Sequence, residues 1–369
     1  MAGIYVHIPF CRSKCRYCDF ASFPDKLCYA ESYMACVYRE MSFRKEELKS
    51  KKFDTLYIGG GTPSVIDESY IGMLVAAARK NFDLAGDAEI TIELNPGTVT
   101  AEKIAFYKKC GINRYSVGLQ SAIDSQLADI GRIHTARDFA DCAAMLKGEN
   151  FNADVLIGLK GQTAEDVVYT INFAAEAGAS HISMYALTPE DGTPIYTDYL
   201  NGELPDSDEV AALYDAGRER LMELGFIRYE VSNFCKPGKG SLHNLNYWRR
   251  GEYIGFGVSA SSCIDNVRFT NTFDLDEYFK CILSDHLPVI DSEEIDLQGQ
   301  KEEFVMLAMR TAEGVSAARY KRQFGSDFFA DFAAPLKKTA HYLDISERGA
   351  KIKDEYLFVQ NSIIIEFLS

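Results

Sequence analysis

Three cysteines lie within eight residues near the start of the chain. Cys11, Cys15 and Cys18 follow an apolar run at residues 4–8, and three and then two residues separate successive thiols. Iron–sulfur clusters are bound by cysteine thiolates, usually four of them. A loop with three thiols would therefore leave one iron of a [4Fe-4S] cluster open to another ligand. Zinc is the competing metal, but structural zinc requires four ligands and commonly uses paired cysteines. The spacing favours a cluster.

The remaining cysteines do not share this spacing. The chain has ten cysteines and no recognisable secretory leader, so reduced thiols or metal ligands are expected rather than disulfides. No apolar run approaches the ~20 residues of a membrane span, and we expect a cytoplasmic protein. Free cysteines commonly act as small buried hydrophobic residues, the role assigned to Cys28, Cys36, Cys110, Cys142, Cys235, Cys263 and Cys281.

The net charge of the chain indicates which classes of molecule it is unsuited to bind. Lys and Arg total 39 against 54 Asp and Glu, which gives a net charge of −15. Such an acidic chain does not bind nucleic acid or anionic lipid without a local basic site, so no nucleic-acid partner is expected. The length of 369 residues and the hydrophobic content of 47% predict a large α/β domain with an added module.

Six short β-branched or aromatic runs alternate with helical segments in the first half of the chain. Strands are predicted at residues 4–8, 56–58, 89–94, 114–117, 153–157 and 181–186, and helices at 30–48, 67–80, 100–109, 135–147 and 163–177. This alternation predicts parallel strands joined by right-handed crossovers. Periodicity leaves a doubly wound sheet and an incomplete barrel open. In both, ligands bind at the carboxyl ends of the strands.

The alternation ends after a further predicted helix at 207–224. The loop at 236–240 contains the turn residues Pro237 and Gly238 and separates a core at 1–235 from a connecting region at 236–296. An accessory domain is predicted at 297–369. Its helices are expected at 297–311, 316–324 and 328–340, followed by strands around 357–359 and 363–367. That order is compatible with a small winged-helix-like α/β domain.

Six sequence blocks accompany the thiol loop in a fixed order, one before it and five after it. They are YVHIPFC at 5–11, GGGTP at 59–63, ELNPG at 93–97, SVGLQS at 116–121, GRIHT at 131–135 and DVLIG at 154–158. With the C-x3-C-x2-C loop they resemble the radical S-adenosylmethionine superfamily, and within it the oxygen-independent coproporphyrinogen III oxidase branch. The resemblance implies an incomplete parallel (β/α)6 barrel. It also implies a [4Fe-4S] cluster on the three cysteines, with S-adenosylmethionine chelating the open iron.

The same resemblance assigns the S-adenosylmethionine contacts. The glycine-rich turn lets the backbone approach a polar ligand, and carboxylates suit an ammonium group and ribose hydroxyls. The chain departs from the family at Lys160, where a proline is common. The family positions correspond here to Tyr5, Tyr17, Gly60, Gly61, Thr62, Glu93, Gln120, Arg132 and Asp154.

Two features separate the members of this branch. Oxidases carry a further cysteine two positions after the third, where this chain has Phe20, and the block HNLNYW at 243–248 resembles the H-N-x-x-Y-W motif of the HemW group of heme chaperones. The resemblance implies His243 as an axial ligand of heme iron. It places Tyr247 and Trp248 against the porphyrin, and Arg249 and Arg250 could pair with propionates. A histidine among aromatic residues is also the composition of an ordinary structural cluster.

These expectations amount to a radical S-adenosylmethionine protein that acts as a heme chaperone. The first alternative is an oxygen-independent coproporphyrinogen III oxidase, and the second is a binding module whose cluster is only structural. The implied partners are a flavodoxin- or ferredoxin-like electron donor and client hemoproteins, with membrane association only through those clients. A homodimer is a further expectation.

Overall fold

A twelve-stranded sheet forms the centre of the protein in a computed structural model that describes residues 1–368. Six parallel strands lie side by side in chain order, as the sequence predicts. They are β1 Ala2–Ile8, β2 Lys52–Gly60, β3 Asp83–Leu94, β4 Arg114–Gln120, β5 Phe151–Ile157 and β6 His181–Ala186. The central strands are buried on both faces, and all seven residues of β4 are buried. Strands buried on both faces commonly appear in sequence as continuous apolar runs, but β4 also carries Arg114, Ser116 and Gln120.

Helices connect these strands and cover the sheet. Thr135 and Thr163 form capping boxes at the starts of two of them, where each side chain accepts a backbone N–H three residues on. The helix predicted over 30–48 ends earlier, at Phe43. The helices of this half are α1 Ala30–Phe43, α2 Glu68–Asn81, α3 Ala101–Lys109, α4 Asp124–Asp129, α5 Ala136–Met145, α6 Ala164–Glu176, α7 Pro194–Leu200 and α8 Ser207–Glu223, with 3-10 helices at Pro24–Tyr29 and Pro63–Val65.

The connecting region extends the same sheet at the β1 edge. Strand β9 pairs with β1 in parallel, and β10, β11 and β12 continue outward in antiparallel pairing. At the opposite edge β8 pairs with β6, and β7 is outermost. The fold is therefore an open parallel barrel with antiparallel extensions. The added elements are β7 Ile227–Arg228, β8 Asn233–Cys235, α9 Leu242–Trp248, β9 Glu252–Phe256, β10 Ser261–Ile264, β11 Val267–Asn271, α10 Leu275–Leu283 and β12 Val289–Glu294.

A buried carboxylate joins α1 to this extension. Glu40 is fully buried and accepts hydrogen bonds from Gly257 N (2.9 Å), Asn271 Nδ2 (2.7 Å) and the Tyr278 hydroxyl (2.7 Å). Burial raises the pKa of Glu40, and these donors oppose that rise. The carboxylate is thus the common acceptor for three residues of the connecting region.

The C-terminal part has its own apolar core and a small antiparallel sheet of order β13-β15-β14. The helix predicted over 328–340 is interrupted at Phe332, where the backbone leaves the helical region. The elements are α11 Leu297–Ala308, β13 Val315–Ser316, α12 Ala317–Phe324, α13 Phe328–Asp331, α14 Ala333–Thr339, β14 Leu343–Ser346, β15 Gly349–Ile352 and α15 Gln360–Ile364, with 3-10 helices at Ala340–Tyr342, Asp354–Val359 and Ile365–Phe367.

The two strands predicted at 357–359 and 363–367 are wrong, because both segments are helical. Leu357 is buried in the first segment, and from 360 to 367 the buried side chains are Gln360, Ile363, Ile364 and Phe367. This spacing of i, i+3, i+4 and i+7 is the pattern of one helix face. The strands of this domain lie earlier, at β14 and β15.

No helix within residues 1–368 combines the length and apolar character needed to cross a bilayer.

Candidate functional site

A cavity of about 500 Å³ opens where the parallel strands end. Its wall includes Gly60, Leu94, Gln120 and Ala186, each the last residue of a parallel strand. The loop after β1 brings all three predicted cluster thiols to the same wall. The carboxyl ends of the parallel strands and the thiol loop therefore meet at one cavity, as expected for a parallel α/β sheet.

The three thiols are held by the β1–α1 loop. Cys11 is buried, and Cys15 and Cys18 are half-buried. The backbone N–H of Cys18 donates to the carbonyl of Cys15 (3.2 Å), and Cys11 Sγ lies 3.4 Å from Thr62 Oγ1. Burial raises the pKa of the Cys11 and Cys18 thiols. Bound metal would favour the thiolates by supplying the opposing charge.

The thiol arrangement is compatible with a cluster. Among residues 1–368, no three His, Cys, Asp or Glu side chains are grouped closely enough to hold one metal ion. Four thiolates on one zinc would place the sulfurs ~3.8 Å apart, given Zn–S bonds of ~2.3 Å. In a cluster each thiolate binds a different iron, so its thiols are farther apart while facing a common space. All three thiols line this one cavity, as the ligands of a single cluster would, and their binding of a cluster stays a prediction.

Glycines let the β2 turn approach the thiol loop. Gly60 has φ +119°, a conformation that favours glycine. A Cβ on Gly61 would lie 2.7 Å from the carbonyl oxygen of Phe10 and 3.0 Å from Cys11 Sγ. The backbone N–H of Thr62 donates to that same carbonyl (2.7 Å). The GGGTP block therefore packs backbone against backbone beside the first thiol.

Glu93 joins this turn to the cavity floor. Its two carboxylate oxygens accept from the Tyr57 hydroxyl (2.8 Å) and from Gly60 N (3.0 Å). Burial raises the pKa of Glu93 to about 7, although the Tyr57 hydrogen bond acts in the opposite direction. A cationic ligand group in the cavity would stabilise the charged carboxylate.

Gln120 and Asp154 lie on neighbouring strands. Gln120 adopts φ +67°, and the β4–β5 register shifts between Gly118 and Gln120. Strained residues and bulges concentrate at functional sites. Asp154 accepts from Asn152 Nδ2 (2.7 Å) and Ser116 Oγ (3.2 Å), and burial raises its pKa.

Arg132 connects the thiol loop to the strand ends. Its guanidinium donates to Asn95 Oδ1 (2.7 Å), to the carbonyl of Gly118 (2.9 Å) and to Cys15 Sγ (3.6 Å). This one side chain therefore holds the second thiol against β3 and β4.

Eight of the nine predicted S-adenosylmethionine residues line the cavity. The exception is Tyr5, whose hydroxyl bonds His7 Nδ1 (3.0 Å) and whose ring stacks on Tyr57 at 6.1 Å, behind the cavity wall. The eight are Tyr17, Gly60, Gly61, Thr62, Glu93, Gln120, Arg132 and Asp154. Their contact with S-adenosylmethionine stays a prediction.

Sequence reasoning missed the polar residues deeper in the cavity. They include Thr91, Ser116, Asn152, His181, Ser183 and Tyr185. Three of them, Thr91, Ser116 and Asn152, precede a predicted residue on the same strand by two or four positions. The other three occupy alternate positions of β6. Since side chains of a strand alternate between its faces, extending a period of two from Glu93, Gln120 and Asp154 would have found several of them.

The predicted heme motif is divided between two places. His243 is 1% exposed, its Nδ1 lies 2.7 Å from Thr55 Oγ1 and its Nε2 lies 3.0 Å from the Tyr247 hydroxyl. Burial lowers the pKa of His243 to about 3. Trp248 lines a different cleft, beside Arg249. Ligation of heme iron by His243 stays a prediction, and it requires one ring nitrogen to exchange its hydrogen bond for the metal.

Known proteins match the chain over most of its length. The radical SAM superfamily model matches residues 5–174 and the HemN C-terminal domain model matches residues 295–350. The heme chaperone HemW of Bacillus subtilis (strain 168) is 32% identical over 355 residues, covering 95% of this chain and 92% of the relative. The chain belongs to the HemW family.

Other HemW proteins and one solved fold agree with this assignment. HemW of Escherichia coli (strain K12) is 37% identical over 266 residues, covering 70% of this chain and 69% of the relative. The structure of coproporphyrinogen III oxidase HemN from Escherichia coli matches with a TM-score of 0.87 at 20% identity, covering 99% of this chain and 89% of that one. HemW and HemN thus share a fold. The radical SAM superfamily implies a [4Fe-4S] cluster and S-adenosylmethionine.

Proposed function

We propose that this HemW-family chain is a heme chaperone with a radical S-adenosylmethionine centre. The observation that carries the proposal is the cavity wall after β1, where three thiols converge and Phe20 occupies the position of the additional oxidase cysteine. Phe20 lines the cavity and is 68% exposed. The HemW relatives support heme as the cargo, and client hemoproteins are the recipients that a chaperone requires.

In this proposal Cys11, Cys15 and Cys18 hold the cluster. When bound, the cluster would supply the electron for reductive cleavage of the sulfonium of S-adenosylmethionine. The Gly60–Thr62 backbone and Glu93 bind the amino-acid end of that molecule, and Asp154 binds its ribose hydroxyls. Gln120 and Arg132 close the remaining sides of the cavity.

The affinity for S-adenosylmethionine should depend on the protonation of Glu93. Because its pKa is about 7, the carboxylate gains a proton as the pH falls through 7 and no longer pairs with an ammonium group. We expect affinity to fall by up to ~10-fold from about pH 8 to about pH 6 by proton linkage. Equilibrium dialysis of the wild type and Glu93→Gln measures this. A variant that retained the wild-type pH profile would contradict the assignment.

Asp154→Asn and Gln120→Ala should weaken S-adenosylmethionine binding without loss of iron. A hydrogen bond to a charged group contributes ~1.5–3 kcal/mol and a neutral one ~1 kcal/mol, so the larger loss is expected for Asp154→Asn. Asp141→Asn, an exposed acid on α5 that pairs with Arg137, is the matched control. Unchanged affinity in both cavity variants, with the cluster intact, would show that the ligand position is wrong.

The thiol loop also suggests where an electron donor would dock. Arg12 and Lys14 are exposed between the first two thiols of an otherwise acidic protein. Their charges complement an acidic flavodoxin- or ferredoxin-like donor. The homodimer remains a prediction that sedimentation equilibrium tests.

Titration of the reconstituted protein with hemin tests the chaperone role. We expect saturable binding with one hemin per chain and an altered Soret band. Binding that does not saturate, or a Soret band identical to that of hemin in buffer without protein, would overturn the proposal.

Removal of the Tyr247 hydroxyl tests the role of His243. Tyr247→Phe releases His243 Nε2 from its hydrogen bond, so hemin affinity should rise if this nitrogen ligates iron. His243→Ala should then lose most hemin binding and retain the cluster. If neither variant changes the Soret band, His243 is a structural residue that links Thr55 and Tyr247.

The HemN fold favours one second candidate, an oxygen-independent coproporphyrinogen III oxidase. Likeness of fold does not fix the reaction, and Phe20 distinguishes this chain from that group.

A further inference from the structure

The GRIHT block at 131–135 packs against the thiol loop. The carbonyl of Ile130 accepts from the backbone N–H of Arg16 (3.0 Å). Gly131 has φ +75°, and a Cβ there would lie 3.2 Å from that same nitrogen. Glycine therefore lets the two backbones touch, and the side chain that follows it is brought directly beside Cys15.

Four hydrogen bonds fix the guanidinium of Arg132. Its Nη2 donates to Asn95 and Gly118, and its Nε donates to His134 Nδ1 (3.2 Å). These bonds hold two sides of a planar group whose donors have fixed directions. The remaining nitrogen, Nη1, is thereby aimed at Cys15 Sγ, 3.6 Å away.

His134 is 5% exposed, and both of its ring nitrogens are hydrogen bonded. Its Nε2 lies 3.2 Å from the carbonyl oxygen of Leu119. A carbonyl can only accept, so Nε2 carries the proton and Nδ1 is the acceptor for Arg132. Burial, together with the adjacent charge of Arg132, lowers the pKa of His134 to about 4. The ring is therefore neutral near pH 7 and keeps this acceptor.

Cys15 differs from Cys11 in the charge of its neighbour. Cys11 Sγ lies 3.4 Å from the neutral hydroxyl of Thr62, whereas the group that faces Cys15 Sγ is a cation. One-electron reduction of a cluster adds negative charge to its iron and sulfur atoms. Hydrogen bonds to the sulfurs and nearby positive charge stabilise that added charge, which raises the reduction potential.

We propose that Arg132 donates a hydrogen bond to the cluster-bound sulfur of Cys15 and thereby raises the reduction potential of the cluster, with His134 as the positioning residue that aims the guanidinium. The inference rests on the proposed cluster site. The step affected is the transfer of one electron from the flavodoxin- or ferredoxin-like donor to the cluster, in which no bond is broken. A higher potential makes this transfer more favourable.

A redox titration followed by the EPR signal of the reduced cluster tests the inference on reconstituted full-length protein. S-adenosylmethionine and hemin are left out, so a lost ligand contact cannot move the potential. Arg132→Gln should lower the equilibrium constant for one-electron reduction about tenfold, which is about 59 mV towards lower potential. Arg132→Lys keeps the charge but not the planar fork, and its shift should be smaller. Arg137→Gln, an exposed arginine on α5, should leave the potential unchanged.

A pair of variants tests His134. His134→Leu removes the acceptor, so the guanidinium is no longer aimed at Cys15, and the same equilibrium constant should fall about threefold, as expected for one neutral hydrogen bond. His134→Asn places an amide oxygen near the position of Nδ1 and should retain the wild-type potential.

Each other outcome decides the inference. An unchanged potential in Arg132→Gln, with a full complement of iron and sulfide, overturns it. Equal falls in His134→Leu and His134→Asn overturn the role of His134. If Arg132→Gln assembles no cluster, wild-type potentials in both Arg132→Lys and His134→Leu overturn the inference. In all of these cases the wild-type cluster is present and the proposed function stands, whereas a wild-type protein that binds no iron would overturn the proposed cluster site itself.

Discussion

Cys15→Ala should abolish assembly of the [4Fe-4S] cluster. In the proposed site each thiolate would bind a different iron, so removal of one would leave only two of the three protein ligands. Cys15 also accepts a hydrogen bond from Arg132, and its loss frees that guanidinium beside the cavity. Iron and sulfide content after anaerobic reconstitution, with the thiolate-to-iron absorption band, measures the effect.

Cys28→Ala is the matched control for this experiment. Cys28, wrongly predicted from the sequence to be buried, is exposed in the 3-10 helix Pro24–Tyr29 and does not line the cavity. Its substitution should leave iron and sulfide at wild-type content. A full complement of four irons in Cys15→Ala would show that the cluster is held elsewhere.

Glu40→Ala should destabilise the fold by about 3 kcal/mol or more. The substitution leaves the backbone N–H of Gly257 and the side chains of Asn271 and Tyr278 without their acceptor, and each buried unpaired donor costs ~1–3 kcal/mol. The effect is large because one carboxylate holds α1 against the strands added beside β1. The midpoint of urea unfolding measures it.

Glu46→Ala provides the comparison for Glu40. Glu46 is 79% exposed and pairs only with Lys49, so its removal should leave the midpoint unchanged within error. Equal midpoints for Glu40→Ala and the wild type would mean that the connecting region is held independently of α1.

The buried strands of the barrel could be predicted because each contains a short run with β-branched or aromatic residues. Strand β1 is buried along nearly its whole length and appears as a mostly apolar run. Strand β4 is buried along all of its length although it also carries Arg114, Ser116 and Gln120. The edge of the sheet carries no such signal. In β12 five of six residues are exposed, and only the two-residue turn at Asp265 and Asn266, both with positive φ, marks the adjoining hairpin.

Some residues of the candidate site could likewise be predicted from the sequence, and others could not. Cys11 and Gly61 belong to contiguous sequence blocks, so the sequence alone predicts them as site residues. Ser183 and Tyr185 are recognised as cavity residues only once β6 is known to pair with β5. The surroundings of His243 could not be predicted, because its partner Thr55 is 188 positions away in the chain. Local spacing shows which residue types are present, and only the sheet order shows which side chains meet.

A single anaerobic assay tests the central claim that the chain is a heme chaperone and not an oxidase. Reconstituted full-length protein is incubated with dithionite, S-adenosylmethionine and coproporphyrinogen III, and decarboxylated porphyrin is measured beside the hemin bound by a parallel sample. We expect stoichiometric hemin binding and no decarboxylated porphyrin. Decarboxylated porphyrin in proportion to 5′-deoxyadenosine, in a protein that does not retain hemin, would contradict it.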